Sequence, residues 1–198
     1  MKMSGKMWAL VGAVTVLGLW ALSSVNGLIG LDQSVQLSYA QVQNVMQRQA
    51  DLIPNLVETA KGYAGHENKT LVGISEARSK LSAVAKMDPE KLAKDPELQK
   101  QLIEAQNGMK NSLIELNAVR EAYPQLQANS NFQTLMAELA GSQNRITVER
   151  RRNQQVVQEY NRAVLVFPRR ILASLGGFTP KPYFQASDAA QSAPQIKF

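Results

Sequence analysis

The sequence predicts an all-α protein: an N-terminal transmembrane helix followed by an antiparallel, up-and-down four-helix bundle with long first and fourth helices. Three observations carry this expectation. An uncharged run extends from Met7 to Leu31, between Lys6 and Asp32. Beyond it, apolar residues recur at helical spacing almost to residue 168. Asp, Pro, Asn and Gly gather where those helices should start or stop. The chain divides into an anchor over 1–31, a bundle over 32–168, a docked C-terminal segment over 169–184 and a tail over 185–198. The Ala, Gln and Ser of that tail are a disorder-type composition.

In hydrocarbon the backbone must satisfy its own hydrogen bonds, so a long apolar run is read as a spanning helix. A bilayer core takes about 20 apolar residues. The run is densest from Met7 to Leu22, and Leu28, Ile29 and Leu31 extend it. Lys2 and Lys6 precede it and no basic residue follows closely. That asymmetry predicts a cytoplasmic N-terminus and a domain on the far side. Trp8 and Trp20 suit the two interfaces, or serve as lipid-facing bulk. A cleaved signal peptide competes with this reading, with Ala21 and Ser23 as its small residues. The total length of the run favours a retained anchor.

Val35, Val42, Gln49, Leu56 and Tyr63 repeat by sevens, with Val45, Met46, Leu52 and Ile53 between them. They define one helix from about Asp32 to Tyr63, bent where Pro54 removes the bond to the Ala50 carbonyl. Gly62 and Gly65 end it. A second helix, about Glu67 to Ala85, turns Leu71, Ile74, Leu81 and Val84 inward. Asp88-Pro89-Glu90 opens a short turn and Asp95-Pro96-Glu97 a third long helix. Each offers an aspartate cap, a proline at the first position and an acid in the first turn. Leu98, Leu102, Ala105, Met109, Leu113, Leu116 and Val119 line the third helix, and Tyr123-Pro124 closes it. Asn129-Ser130-Asn131 caps the fourth, in which Phe132, Leu139, Ile146, Asn153, Tyr160 and Phe167 again repeat by sevens. Four such helices with short connections favour an antiparallel bundle. Ile171, Leu172, Leu175, Phe178, Tyr183 and Phe184 make the next segment too apolar for a free tail.

Composition removes several function classes. The chain has no cysteine, so disulfides, thiolate metal sites and cysteine nucleophiles are excluded. Its single histidine, His66, has no second histidine at metal spacing, since position 70 is Thr; a surface or structural role is expected. No metal and no cofactor are expected. The net charge is +6, and the segment from Arg145 to Lys181 alone holds eight basic and two acidic residues. No stacking surface or groove-reading motif accompanies them, so nucleic acid is not an expected partner.

The run Asp51-Leu-Ile-Pro-Asn-Leu-Val-Glu-Thr-Ala-Lys-Gly-Tyr-Ala-Gly-His-Glu67 resembles the signature of the LemA family. So do Ala77-Arg78, Tyr123-Pro124 with Asn131-Phe132, Tyr160-Asn161, Phe167-Pro168, Gly177-Phe178 and Tyr183-Phe184. The resemblance runs from the anchor to about Phe184. It implies a bacterial inner-membrane anchor bearing an extracytoplasmic helical bundle, and it implies no reaction and no catalytic residues. A membrane-shaping role follows only by analogy within the family. Where the family carries an earlier Tyr-Asn pair, this chain has Asn153-Gln154.

Two constellations stand out. Gln49 breaks the first helix's apolar stripe, with Arg48 and Asp51 beside it; Glu149 and Asn153 break the fourth, with Arg150 adjacent. In an antiparallel pair these should meet in one polar layer, in which Arg48, Asp51, Glu149 and Arg150 pair. Such a layer sets helix register, or else forms a buried acid–base or ligand site. No nucleophile, metal set or phosphate loop accompanies it, which favours register-setting. The second constellation is membrane-proximal: Arg162, Arg169 and Arg170 with Phe178, Tyr183 and Phe184. It suits anionic headgroups, or simple docking on the base of the bundle.

The functional expectation is a single-pass membrane protein without enzymatic activity. It holds its bundle outside the membrane as an interaction, assembly or membrane-organising module and self-associates. Its expected partners are the bilayer through residues 7–31, anionic headgroups, further copies and other envelope proteins. The alternatives are an adaptor for an envelope protease or stress system and a carboxylate-dependent envelope hydrolase. The hydrolase needs a cavity shared by Asp51 and Glu149.

Overall fold

The computed structural model describes residues 5–63 and 68–184. His66, Gly65 and the tail from Gln185 lie outside them, as does Lys2. The described residues form helices and no strands: α1 (Gly5–Lys61), α2 (Asn68–Ala85), α3 (Pro89–Lys94), α4 (Pro96–Ala122), α5 (Pro124–Ala128), α6 (Ser130–Leu165) and α7 (Arg169–Leu175).

The anchor and the first bundle helix are one element. α1 runs 57 residues without interruption, about 85 Å at 1.5 Å per residue. It is the one helix among the described residues long and apolar enough to cross a membrane. Its large side chains from Met7 to Leu22 stand exposed, as a lipid-facing surface requires. Above that level Ser24 and Leu28 are buried by protein while Ile29 stays 45% exposed, so protein covers one side of α1 before the uncharged run ends.

Pro54 sits inside α1 without ending it. The Ala50 carbonyl that proline leaves without its helical donor accepts from Arg78 Nε of α2 at 3.0 Å. The two aspartate caps form as their motifs require: Asp88 accepts from the Glu90 N–H at 2.9 Å and Asp95 from that of Glu97 at 2.8 Å. Asn129 caps α6 by accepting from Phe132 N–H at 2.9 Å. The short helix α5 appears where the sequence suggested only a connection, and α7 within the segment expected to dock.

α1 is the hub. It packs against α2, α3, α6 and α7, while α4 packs on α2 and is joined to α6 by a hydrogen bond between Gln106 and Arg150. The core joins Val35, Val42, Met46, Ile53 and Leu56 of α1 to Leu81 of α2, Leu102 and Met109 of α4, and Phe132 and Val157 of α6. Buried glutamines close helix ends. Gln43 donates to the Val84 and Met87 carbonyls, and Gln99 donates to Leu92 O and to the Tyr39 hydroxyl. Asn153 of α6 bonds Ser38 of α1, and Asn129 bonds Tyr63, so rising numbers on α1 meet falling numbers on α6. The two ends of the seven-residue stripes depart from the expected burial. Tyr63 is exposed beyond the end of α1, and Phe167 is exposed beyond the end of α6.

Candidate functional site

The expected polar layer does not form as one unit. Arg48 and Asp51 lie on the outer face of α1, where Asp51 accepts from Gln47 Nε2 at 2.7 Å. Neither meets Glu149 or Arg150, because a helix turns about 100° per residue and only Gln49 of that trio faces inward. Gln49 and Asn153 are both buried, but at different heights. Asn153 donates to Ser38 Oγ at 2.7 Å, and Ser38 donates to Val35 O. The same pairing puts Gln49 near Ser142, eleven residues or about 16 Å along the axis from Asn153. Both amide atoms of Gln49 lack a protein partner, as does Glu149 Oε2.

Arg150 turns toward α4 instead, donating to Gln106 Oε1 at 3.1 Å and lying 5.0 Å above the Phe184 ring. Desolvation lowers its pKa, with no carboxylate to oppose the shift. It bridges α6, α4 and the C-terminal segment, where the sequence reading had it pair within a layer between the first and fourth helices.

The membrane-proximal set also divides. Gly177, at φ 73°, takes the left-handed conformation that ends α7 and reverses the chain, with Phe178 N–H bonding Ala173 O at 2.9 Å. From there residues 178–184 run back along the bundle as a strap. Asn161 holds it twice, accepting from Lys181 N–H at 2.7 Å and donating to Lys181 O at 2.8 Å. Tyr160 donates to Thr179 O, and Gln154 donates to Phe184 O. The Lys181 ammonium is buried against Asp32 at 2.7 Å and lies 5.1 Å from the Tyr160 ring. Phe184 ends buried on Tyr39, ring centroids 5.3 Å apart. Phe184 and the half-buried Phe178 are therefore docking residues of the strap, not membrane contacts; Tyr183 is exposed. Arg162, Arg169 and Arg170 remain exposed at the other end, around the α6–α7 elbow.

The sequence held a sign of this clamp that composition could not decode. Tyr160-Asn161 is one stretch of the family-like pattern, and it holds Thr179 and Lys181, which lie between two others, Gly177-Phe178 and Tyr183-Phe184. Arg78, adjacent to Ala77 in another such stretch, satisfies the proline-exposed carbonyl.

Three concavities belong to this arrangement. A groove of about 620 Å³ lies between α4 and α6, floored by Leu113, Ile114, Met136, Ala137, Leu139 and Ala140. A cavity of about 400 Å³ sits at the elbow, between Trp20, Arg162, Phe167 and Arg169. A smaller one of about 200 Å³ lies under the strap beside Asp32 and Lys181. Asp51 and Glu149 line none of them, so the shared carboxylate cavity a hydrolase would use is not among them. Among the described residues no cluster of three or more His, Cys, Asp or Glu side chains could hold a metal.

A helical domain built directly on a membrane-length apolar helix, with a C-terminal strap buttoned to its base, defines the class of protein. The chain belongs to the LemA family, whose model matches residues 38–198. It is similar to the magnetosome protein MamQ of Magnetospirillum gryphiswaldense, 27% identical over 93% of this chain and 76% of the relative. It also matches magnetosome proteins MamQ 1 and MamQ 2 of Paramagnetospirillum magneticum, each 26% identical over 88% of this chain and 71% of the relative.

Proposed function

We propose that the chain is a single-pass inner-membrane protein of the bacterial envelope whose antiparallel four-helix bundle stands on the extracytoplasmic side. It acts there as a non-enzymatic assembly module that self-associates and organises the membrane beneath it. The observation that carries this reading is the unbroken passage of α1 from lipid-facing sleeve to bundle core. A helix without a hinge fixes the orientation of every copy relative to the bilayer, and confinement to two dimensions raises their effective concentration. The α4–α6 groove offers an apolar face at the side of the bundle, with Ile114 60% exposed beside it. The relatives are magnetosome proteins, which is compatible with a membrane-organising role.

A photoreactive residue at Ile114 in intact cells tests this. The expected product is an adduct of twice the chain mass. Adducts with other envelope proteins alone would favour the adaptor reading, and an absence of adducts at Ile114 and Ala137 would overturn self-association through this face.

A further inference from the structure

Leu165, Val166, Phe167, Ile171 and Leu175 all stand on the surface, Phe167 75% and Leu175 81% exposed. They gather where α6 gives way to α7, an apolar patch that water would penalise. Their height along the molecule decides what covers them. The α1–α6 pairing that matches Ser38 with Asn153 brings the elbow down beside the apolar part of α1. Trp20 of that part forms one wall of the elbow cavity together with Phe167, Pro168 and Arg169. α7 packs on α1, and Ser24 and Leu28 are buried just above Trp20. The exposed elbow thus continues the exposed sleeve of Met7–Leu22. Those sixteen residues rise about 24 Å, and Ile29 extends them on the open side of α1 but not on the side where Ser24 and Leu28 are buried. On that covered side the exposed apolar side chains of the elbow carry the sleeve onward, toward the about 30 Å of a hydrocarbon core.

The cavity is also graded along its length. Leu31 and Glu159 line its bundle end, Arg162 follows one turn lower, and Val166, Phe167 and Trp20 line the end toward the sleeve, with Arg169 beside them. Arg170 is exposed next to it. Arg162 above the apolar end and Arg169 at its side, with Glu159 the one carboxylate in the lining, match a phospholipid whose phosphate lies between the two arginines and whose acyl chains follow Val166 and Phe167.

We infer that the α6–α7 elbow is a second, non-spanning membrane contact that seats an anionic phospholipid. Phe167 and Leu175 lie among the acyl chains and Arg162 and Arg169 hold the headgroup phosphate. The inference rests on α1 being the anchor, and its test separates the two. The chain has no cysteine, so single cysteines at Leu17, Ile114, Phe167 and Leu175 can each carry an environment-sensitive dye. The full-length protein is placed in vesicles of phosphatidylcholine and phosphatidylglycerol containing lipid-borne quencher. The dyes at 17, 167 and 175 should be quenched several-fold more than the dye at 114. Quenching at 17 with 167 and 175 no different from 114 would overturn the elbow contact and leave the anchor standing. No quenching at 17 would overturn both. For the headgroup, Arg162→Gln with Arg169→Gln should lower phosphatidylglycerol retained by the full chain released from nanodiscs by about ten-fold. Phosphatidylcholine retention and helix content should not change. Equal phosphatidylglycerol retention would overturn the headgroup assignment.

Discussion

Removing the Arg78 guanidinium should destabilise the protein only as long as residue 54 is proline. Pro54 deprives Ala50 of its helical donor, and Ala50 is fully buried, so its carbonyl cannot turn to water. Arg78 Nε supplies the missing bond at 3.0 Å. A hydrogen bond from a charged donor contributes about 1.5–3 kcal/mol, and an orphaned buried carbonyl costs a similar amount. Because Arg78 is only half-buried, Arg78→Ala is expected to cost about 1–2 kcal/mol. For a chain of this size that is a fall in melting temperature of about 2–8 °C. In a Pro54→Ala background the restored N–H of residue 54 satisfies Ala50, and the same Arg78→Ala change should cost well under 1 kcal/mol. The assay is a double-mutant cycle by thermal and urea denaturation of the full chain in detergent micelles. Arg78→Ala losses that agree within about 0.5 kcal/mol in the two backgrounds would refute the reasoning.

Two further expectations follow from the buried polar groups. Gln49 is wholly buried with neither amide atom bonded to protein, so Gln49→Leu should raise stability by about 1–3 kcal/mol. A lower urea midpoint would mean that the amide is satisfied in solution. Burial raises the hydroxyl pKa of Tyr39 despite the Gln99 hydrogen bond, and burial with the nearby Asp32 charge raises that of Tyr160 to about 12. Both phenols are held neutral by the fold, so their contribution is complete below the unfolded value near pH 10 and is lost as pH climbs toward 12. Urea midpoints measured from pH 9 to 12 should fall steeply, and Tyr160→Phe should flatten the fall; parallel curves for wild type and variant would exclude Tyr160 as a source of it.

The local elements were legible because their causes are local. An aspartate, a proline and a glutamate in sequence satisfy the free N–H groups of a helix start wherever the helix later packs, and Asp88 and Asp95 do so here. Seven-residue spacing told which faces of α1 and α6 turn inward, including the inward positions of Gln49 and Asn153. The uncharged run marked the stretch of α1 long and apolar enough to span a membrane.

What meets what across the bundle was not legible, because periodicity sets the angle of a side chain and not its height. The expectation of one polar layer assumed that the middles of two helices coincide. The Ser38–Asn153 pairing instead separates Gln49 from Asn153 by several turns. The partners of the strap escaped for a related reason: the Asn161 side chain bonds the backbone of Lys181, and backbone groups leave no trace in residue type. The sequence alone determined that the chain is helical, where most of its helices begin and which stretch is suited to lipid. Tertiary structure decided that Phe184 folds inward onto Tyr39 while Phe167 stays exposed beside Trp20. Both are aromatic residues of family-like stretches, Phe167-Pro168 and Tyr183-Phe184. They differ because Gly177 reverses the chain between them, carrying one back onto the bundle and leaving the other at the level of the apolar sleeve.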